Sequence, residues 1–165
     1  MSRESDFEKL CEMIKAIDLC MLTTVDERDD LHSRPMSLNG DVDEEGNLWF
    51  FTSSDSHKAS EIERTPNVNV SFVDTGDQQY VSISGTAQLV HDRQKIKELW
   101  KPVLKAWFPG GPDQPDVVLL KVKMTKAEYW DGPSRTIAQA VSFVSAIVTG
   151  KQFEAGENKK LDGLG

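Results

Sequence analysis

Thr52, Ser56 and Lys58 stand close together in the run Trp49-Phe50-Phe51-Thr52-Ser53-Ser54-Asp55-Ser56-His57-Lys58, which passes from apolar to polar and then opens a helical pattern. Hydroxyls and a cation delivered to a helix N-terminus are the parts of an anion site, because the first N–H groups of a helix have no intrahelical acceptor and the dipole adds positive charge there. Lys58 in the first turn is unfavourable for the helix by itself, and a bound phosphate would relieve that conflict. The same residues also fit an ordinary Ser or Asp cap with a solvated lysine. Arg34-Pro35-Met36 offers a second cation. Pro35 has no N–H for a ladder, so it is expected at an edge or an interruption of a strand. If the second and third strands pair as a hairpin, Arg34 and Lys58 converge on one dianion. The alternative is a surface Arg34 paired with Asp29 or Asp30.

Trp100, Trp107, Phe108 and Trp130 have the flat faces that stack on a planar ring system, and each also fits core packing. His32, His57 and His91 lack metal-ligand spacing, so no metal site is expected. The chain has no nucleophile elbow, phosphate-binding P-loop or dinucleotide glycine fingerprint, and no acid–base pair stands out. Any redox chemistry would come from a bound cofactor. The residues by themselves lead as far as an anion-binding β domain.

These candidates must be positioned by a sheet. Phe7, Leu10, Cys11, Ile14 and Ile17 recur at helical spacing, with Ser5 as the expected cap. Strand-like runs follow at Leu19 to Val25, His32 to Asn39 and Asn47 to Thr52, separated by the turn-rich stretches Asp26 to Asp30 and Gly40 to Gly46, which reads as an antiparallel meander. A short helix from Ser56 to Arg64 must end at Pro66. Val68, Val70 and Phe72 alternate with polar residues, and Tyr80 to Leu89 forms a longer strand with a bulge or bend at Gly85. Ile96 to Leu104 is helical, and Phe108 to Pro115 is a loop. Val117 to Met124, extended by Ala127 to Trp130, makes the sixth strand. A helix is expected over Thr136 to Val148. The organisation is thus one domain over residues 1–150, followed by a polar, mobile tail over 151–165.

The 165 residues suit one core and are too few for two. A net charge of −8, with acids gathered in Asp26 to Asp30 and Asp41 to Glu45, removes the basic footprint that nucleic acid requires. No run approaches the roughly 20 apolar residues of a membrane span, and Met1 to Asp6 is polar, so a cytoplasmic location is expected. Cys11 and Cys20 are read as buried free thiols of a reducing compartment.

The ordered set Arg34-Pro35-Met36-Ser37-Leu38, Leu48 to Thr52, Ser56-His57-Lys58-Ala59 and Pro66-Asn67-Val68 resembles the pyridoxamine 5′-phosphate oxidase-like split-barrel superfamily, in particular its general stress protein 26 branch. The resemblance covers about Phe7 to Trp130 and is carried by the combination of motifs. It implies a mainly β fold, a six-stranded antiparallel split barrel with peripheral helices. It also implies a homodimer with FMN, or FAD, in clefts at the interface. By positional match Arg34 and Lys58 hold the phosphate, Thr52, Ser56 and His57 add polar contacts, and Met36 and Phe51 line the flavin. Pro35, Ser37 and Tyr80 are further matches, and Trp100, Trp107 and Trp130 are candidates to cover the ring. The implied activity is flavin-dependent electron transfer in a stress protein, from a nicotinamide reductant or to a small oxidant. A flavin-binding or flavin-buffering role without turnover is the alternative. His57 stands where the true oxidases carry Arg, and Gly156 to Gly165 lacks their Arg-containing C-terminal segment, so vitamin B6 oxidation is not expected.

Overall fold

The computed structural model describes residues 2–40, 42–132, 145, 147–150 and 156–164. In chain order the elements are α1 (Arg3–Lys15), β1 (Leu19–Val25), β2 (Leu31–Ser37), β3 (Asn47–Ser53), α2 (His57–Arg64), β4 (Asn67–Asp74), β5 (Gln79–Val90), α3 (Arg93–Leu99), β6 (Val117–Asp131) and β7 (Glu157–Asp162). One antiparallel sheet runs β2-β1-β4-β5-β6-β3, with β7 on β6. The expected six strands are therefore present, and a seventh joins them. The expected helix over Thr136 to Val148 lies mostly outside the described residues.

The connectivity is not the meander that the strand order suggested. Among the described residues β2 pairs only with β1, whereas β3 crosses to the far edge and pairs with β6, Thr52 facing Val118. The expected hairpin between β2 and β3 therefore does not form. The turn-rich Gly40 to Gly46 is long enough to let β3 leave its neighbour, and the apolar run of β6 offers a better partner for Leu48 to Phe51. The sheet ends nevertheless come together by curling. Cys20 and Leu22 of β1 share one core with Leu48 and Phe50 of β3, and the Asn39 N–H donates to the Trp49 carbonyl at 2.9 Å. This is the split barrel, whose interior Phe50, Phe72, Ile83 and Tyr129 fill at 0% exposure.

β3 is buried on both faces because two cores claim it. Leu48 and Phe50 point into the barrel, while Trp49 and Phe51 join Ile96, Phe108, Val117 and Leu119 beneath α3 and the turn Pro102–Ala106. Arg93 secures that cover by donating to the carbonyls of Pro112, Gln114, Pro115 and Val117. At the other end α1 closes the barrel with Leu10, Met13 and Ile14. Its cap is Ser2, whose hydroxyl accepts from Ser5 N–H, and not Ser5 as the pattern suggested. Cys20 is buried, and burial pushes its thiol up to about 12, whereas Cys11 is half-buried.

The reading of 151–165 as a mobile tail is corrected for its second half. Glu157–Asp162 forms β7, although Leu161, 5% exposed, is its one apolar residue. Charge docks it: Lys9 Nζ lies 2.6 Å from Glu157 and 2.7 Å from Asp131, and Arg3 donates to the carbonyls of Asp162 and Gly163. Gly156 enters the strand at φ +84°, and a Cβ there would meet the Asp131 carbonyl. Gly156→Ala is accordingly expected to loosen β7 by ~1–2 kcal/mol. Hydrogen exchange should accelerate about tenfold or more over 157–162 while the β4–β5 amides keep their protection; unchanged exchange in β7 would refute the role given to Gly156.

Candidate functional site

Arg34 lies near enough to Lys58 for its charge to act on the ammonium, by a route other than a hairpin. β2 is an edge strand, as Pro35 requires, and Arg34 sits opposite Leu22 with its side chain turned toward α2. Thr52 is the penultimate residue of β3 and points inward at 2% exposure, opposite the buried Val118. The chain then turns through Ser53, Ser54 and Asp55 into α2. Asp116 fixes this turn: its carboxylate accepts from the Ser53 hydroxyl at 2.8 Å and its carbonyl from the Ser54 N–H at 2.8 Å. The bond from Gln114, and then that from Ser53, hold the Asp116 carboxyl below the usual range.

Ser56 occupies the N-cap of α2 but leaves the capping bond unmade. Its hydroxyl donates to the Ser53 carbonyl at 2.7 Å and stands 3.3 Å from Thr52 Oγ1. No acidic residue occupies the first turn, so neither a cap oxygen nor a carboxylate answers the helix dipole. Lys58 lies in that turn, half-buried, without a hydrogen bond or ion pair among the described residues. Burial, followed by repulsion from Arg34, holds its ammonium below the ordinary lysine range. A desolvated cation at an uncapped helix N-terminus, beside two hydroxyls, has the donor set of a phosphate cradle.

Arg34 is differently placed. Its partner is neither Asp29 nor Asp30: Asp29 faces Arg64 instead, and Arg34 Nη2 lies 2.8 Å from Glu61 Oε2. Arg34 Nη1 donates to Thr24 Oγ1 at 2.6 Å, and Nη2 lies 3.0 Å from His32 Nδ1. Burial by itself would raise the Glu61 carboxyl; the bonds from Thr24 and Arg34 outweigh it and keep the group ionised. Glu61 and Thr24 were not singled out in the sequence. The signal that could have found Glu61 is its position three residues after Lys58, on the same helix face.

The remaining candidates are spread out. His57 is exposed at the first helical position, and Ser37 Oγ donates to the Asp18 carbonyl at 3.4 Å. Met36 packs on the barrel core, whereas Phe51 lies in the second cluster with Trp100 edge-on at 5.6 Å. Trp107 is 69% exposed. Tyr80 and Trp130 are cross-strand partners on the outer face of the sheet, next to Val73 and near Leu19, all four exposed.

A curled antiparallel sheet with one buried end of β3 feeding an uncapped helix defines the class: a split-barrel protein. The profile described as pyridoxamine 5′-phosphate oxidase like matches residues 5–154, and the chain belongs to that family. It is 32% identical over 144 residues to Protein bli-3 of Neurospora crassa, covering 79% of this chain and 67% of that one. General stress protein 26 of Bacillus subtilis is 28% identical over 127 residues, covering 74% and 86%. The crystal structure of the general stress FMN/FAD binding protein of Xanthomonas citri superposes with a TM-score of 0.69 at 31% identity, covering 79% of this chain and 91% of that one. Among the described residues no helix is long and apolar enough to cross a membrane.

Proposed function

We propose that this protein binds a flavin nucleotide, FMN and also FAD, by its phosphate at the start of α2. The observation that carries this reading is Lys58: a half-buried ammonium with no hydrogen bond or ion-pair contact among the described residues, at a helix end that lacks its cap. Thr52 supplies a hydroxyl, α2 its free N–H groups, and Arg34 the charged wall, with Ser56, whose proton is held by the Ser53 carbonyl, beside them. The flavin-binding relative from Xanthomonas citri, with the same fold at 31% identity, supports the same ligand class. A bound flavin supplies the redox chemistry. The chain's own residues anchor and orient it and withhold water from the phosphate.

Turnover with a nicotinamide reductant follows as the oxidoreductase form of this reading. A binding role without turnover is favoured by one feature: Glu61, the carboxylate beside the cradle, is engaged by Thr24 and Arg34 and so is not free to carry protons. Titration of the protein with FMN and FAD, read by flavin fluorescence, tests binding, and anaerobic mixing with NADH or NADPH tests turnover. Saturable binding is expected; its absence with both nucleotides would remove the functional reading. Bleaching on mixing selects the oxidoreductase and a lasting yellow colour the binding protein.

We further propose that the protein is a homodimer. Leu19, Val73, Tyr80 and Trp130 form an exposed apolar group on the outer face, which a second copy would cover. Sedimentation should give twice the chain mass, and a monomer at micromolar concentration would overturn this assembly.

A further inference from the structure

Glu61 is 9% exposed and sits one helical turn beyond Lys58, close enough to act on its charge. Its Oε2 accepts from Arg34 Nη2 and from the Thr24 hydroxyl, and its Oε1 lies 3.7 Å from His32 Nδ1. Arg34 spends its other terminal nitrogen on Thr24. Both terminal nitrogens of the guanidinium are thus engaged by the chain itself, and its charge is matched by a carboxylate. Lys58 and the helix end are left to meet a ligand. A phosphomonoester carries about −1.5 to −2 at pH 7, whereas each phosphate of a diphosphate diester carries about −1. The second charge of a monoester would face the Glu61 carboxylate with one unmatched cation to balance it.

We propose that Glu61 is a specificity-determining residue that fits this cradle to a singly charged phosphate. By taking Arg34 as its counter-ion it penalises the doubly charged monoester of FMN relative to the diphosphate of FAD. This rests on the flavin-binding reading above. The side chain is a positioning residue: it acts on the phosphate through Arg34 and through its own field.

The test compares dissociation constants for FMN, FAD and riboflavin at pH 7.5 in the wild type, Glu61→Gln and Arg34→Gln. Glu61→Gln keeps the shape and an acceptor for Thr24 while removing the charge. It is expected to tighten FMN about tenfold and FAD by less than about threefold, with riboflavin unchanged. Arg34→Gln leaves the carboxylate unmatched and should move the FMN-to-FAD ratio the opposite way by a similar factor. If Glu61→Gln does not melt cooperatively, the Arg34→Gln ratio decides. Equal shifts for both nucleotides, or weaker FMN binding in Glu61→Gln, overturn the inference while leaving flavin binding intact. Wild-type protein that binds neither nucleotide overturns both.

Discussion

Lys58→Ala is expected to weaken FMN binding about 100-fold, the effect of losing a charge-assisted bond of ~2–3 kcal/mol. Riboflavin, which has no phosphate, should bind the variant and the wild type within about twofold. The stability of the ligand-free protein should hold or rise, because the substitution removes an ammonium that burial and Arg34 disfavour by more than the Glu61 charge favours it. This combination separates a phosphate ligand from a structural lysine, whose loss would lower the melting temperature and weaken all three flavins alike. Paired fluorescence titrations and thermal melts read both arms. Equal losses for FMN and riboflavin would place the phosphate elsewhere.

That Lys58 was visible in the sequence, and Glu61 was not, has a physical basis. Local rules act over a helical turn: cap-type polar residues, a strand before them and a lysine where the dipole disfavours it are all contiguous. The strands themselves were legible for the same reason, and β1 spans the expected Leu19–Val25. Pairing was not, since nothing local tells β3 to leave β2 for β6; that choice is made by the curl of the sheet and by two cores competing for Trp49 to Phe51. The partner of Arg34 was hidden likewise, because Glu61 reaches it across the barrel end from another element. β7 escaped because its docking is ionic: Glu157-Asn158-Lys159-Lys160 reads as a solvated run until Lys9 and Arg3 are placed beside it.

Gly85→Ala is expected to destabilise the protein by ~3 kcal/mol, lowering its melting temperature by about 10 °C. The strain comes from the partner strand. Ser84 pairs with Lys126 and Gly85 with Met124, so Thr125 of β6 is the extra residue, and a Cβ on Gly85 would meet the Lys123 carbonyl oxygen and lie 3.0 Å from Val122 Cγ1. Backbone cannot swing aside as a long side chain can, and Gly85 is buried. The bulge also sets which face of β6 points inward: Val118, Leu120, Val122 and Met124 before it, Ala127 and Tyr129 after it. The sequence carries this change of phase as a break between Met124 and Ala127. Because Thr52 is held opposite Val118 on the same strand, a β6 that shifts to accommodate the methyl group carries the end of β3 with it. Gly85→Ala should therefore also weaken FMN, and riboflavin together with it, in contrast to Lys58→Ala. A melting temperature within about 2 °C of wild type would mean that the bulge absorbs the methyl group, and that the phase of β6 is set by its side chains alone.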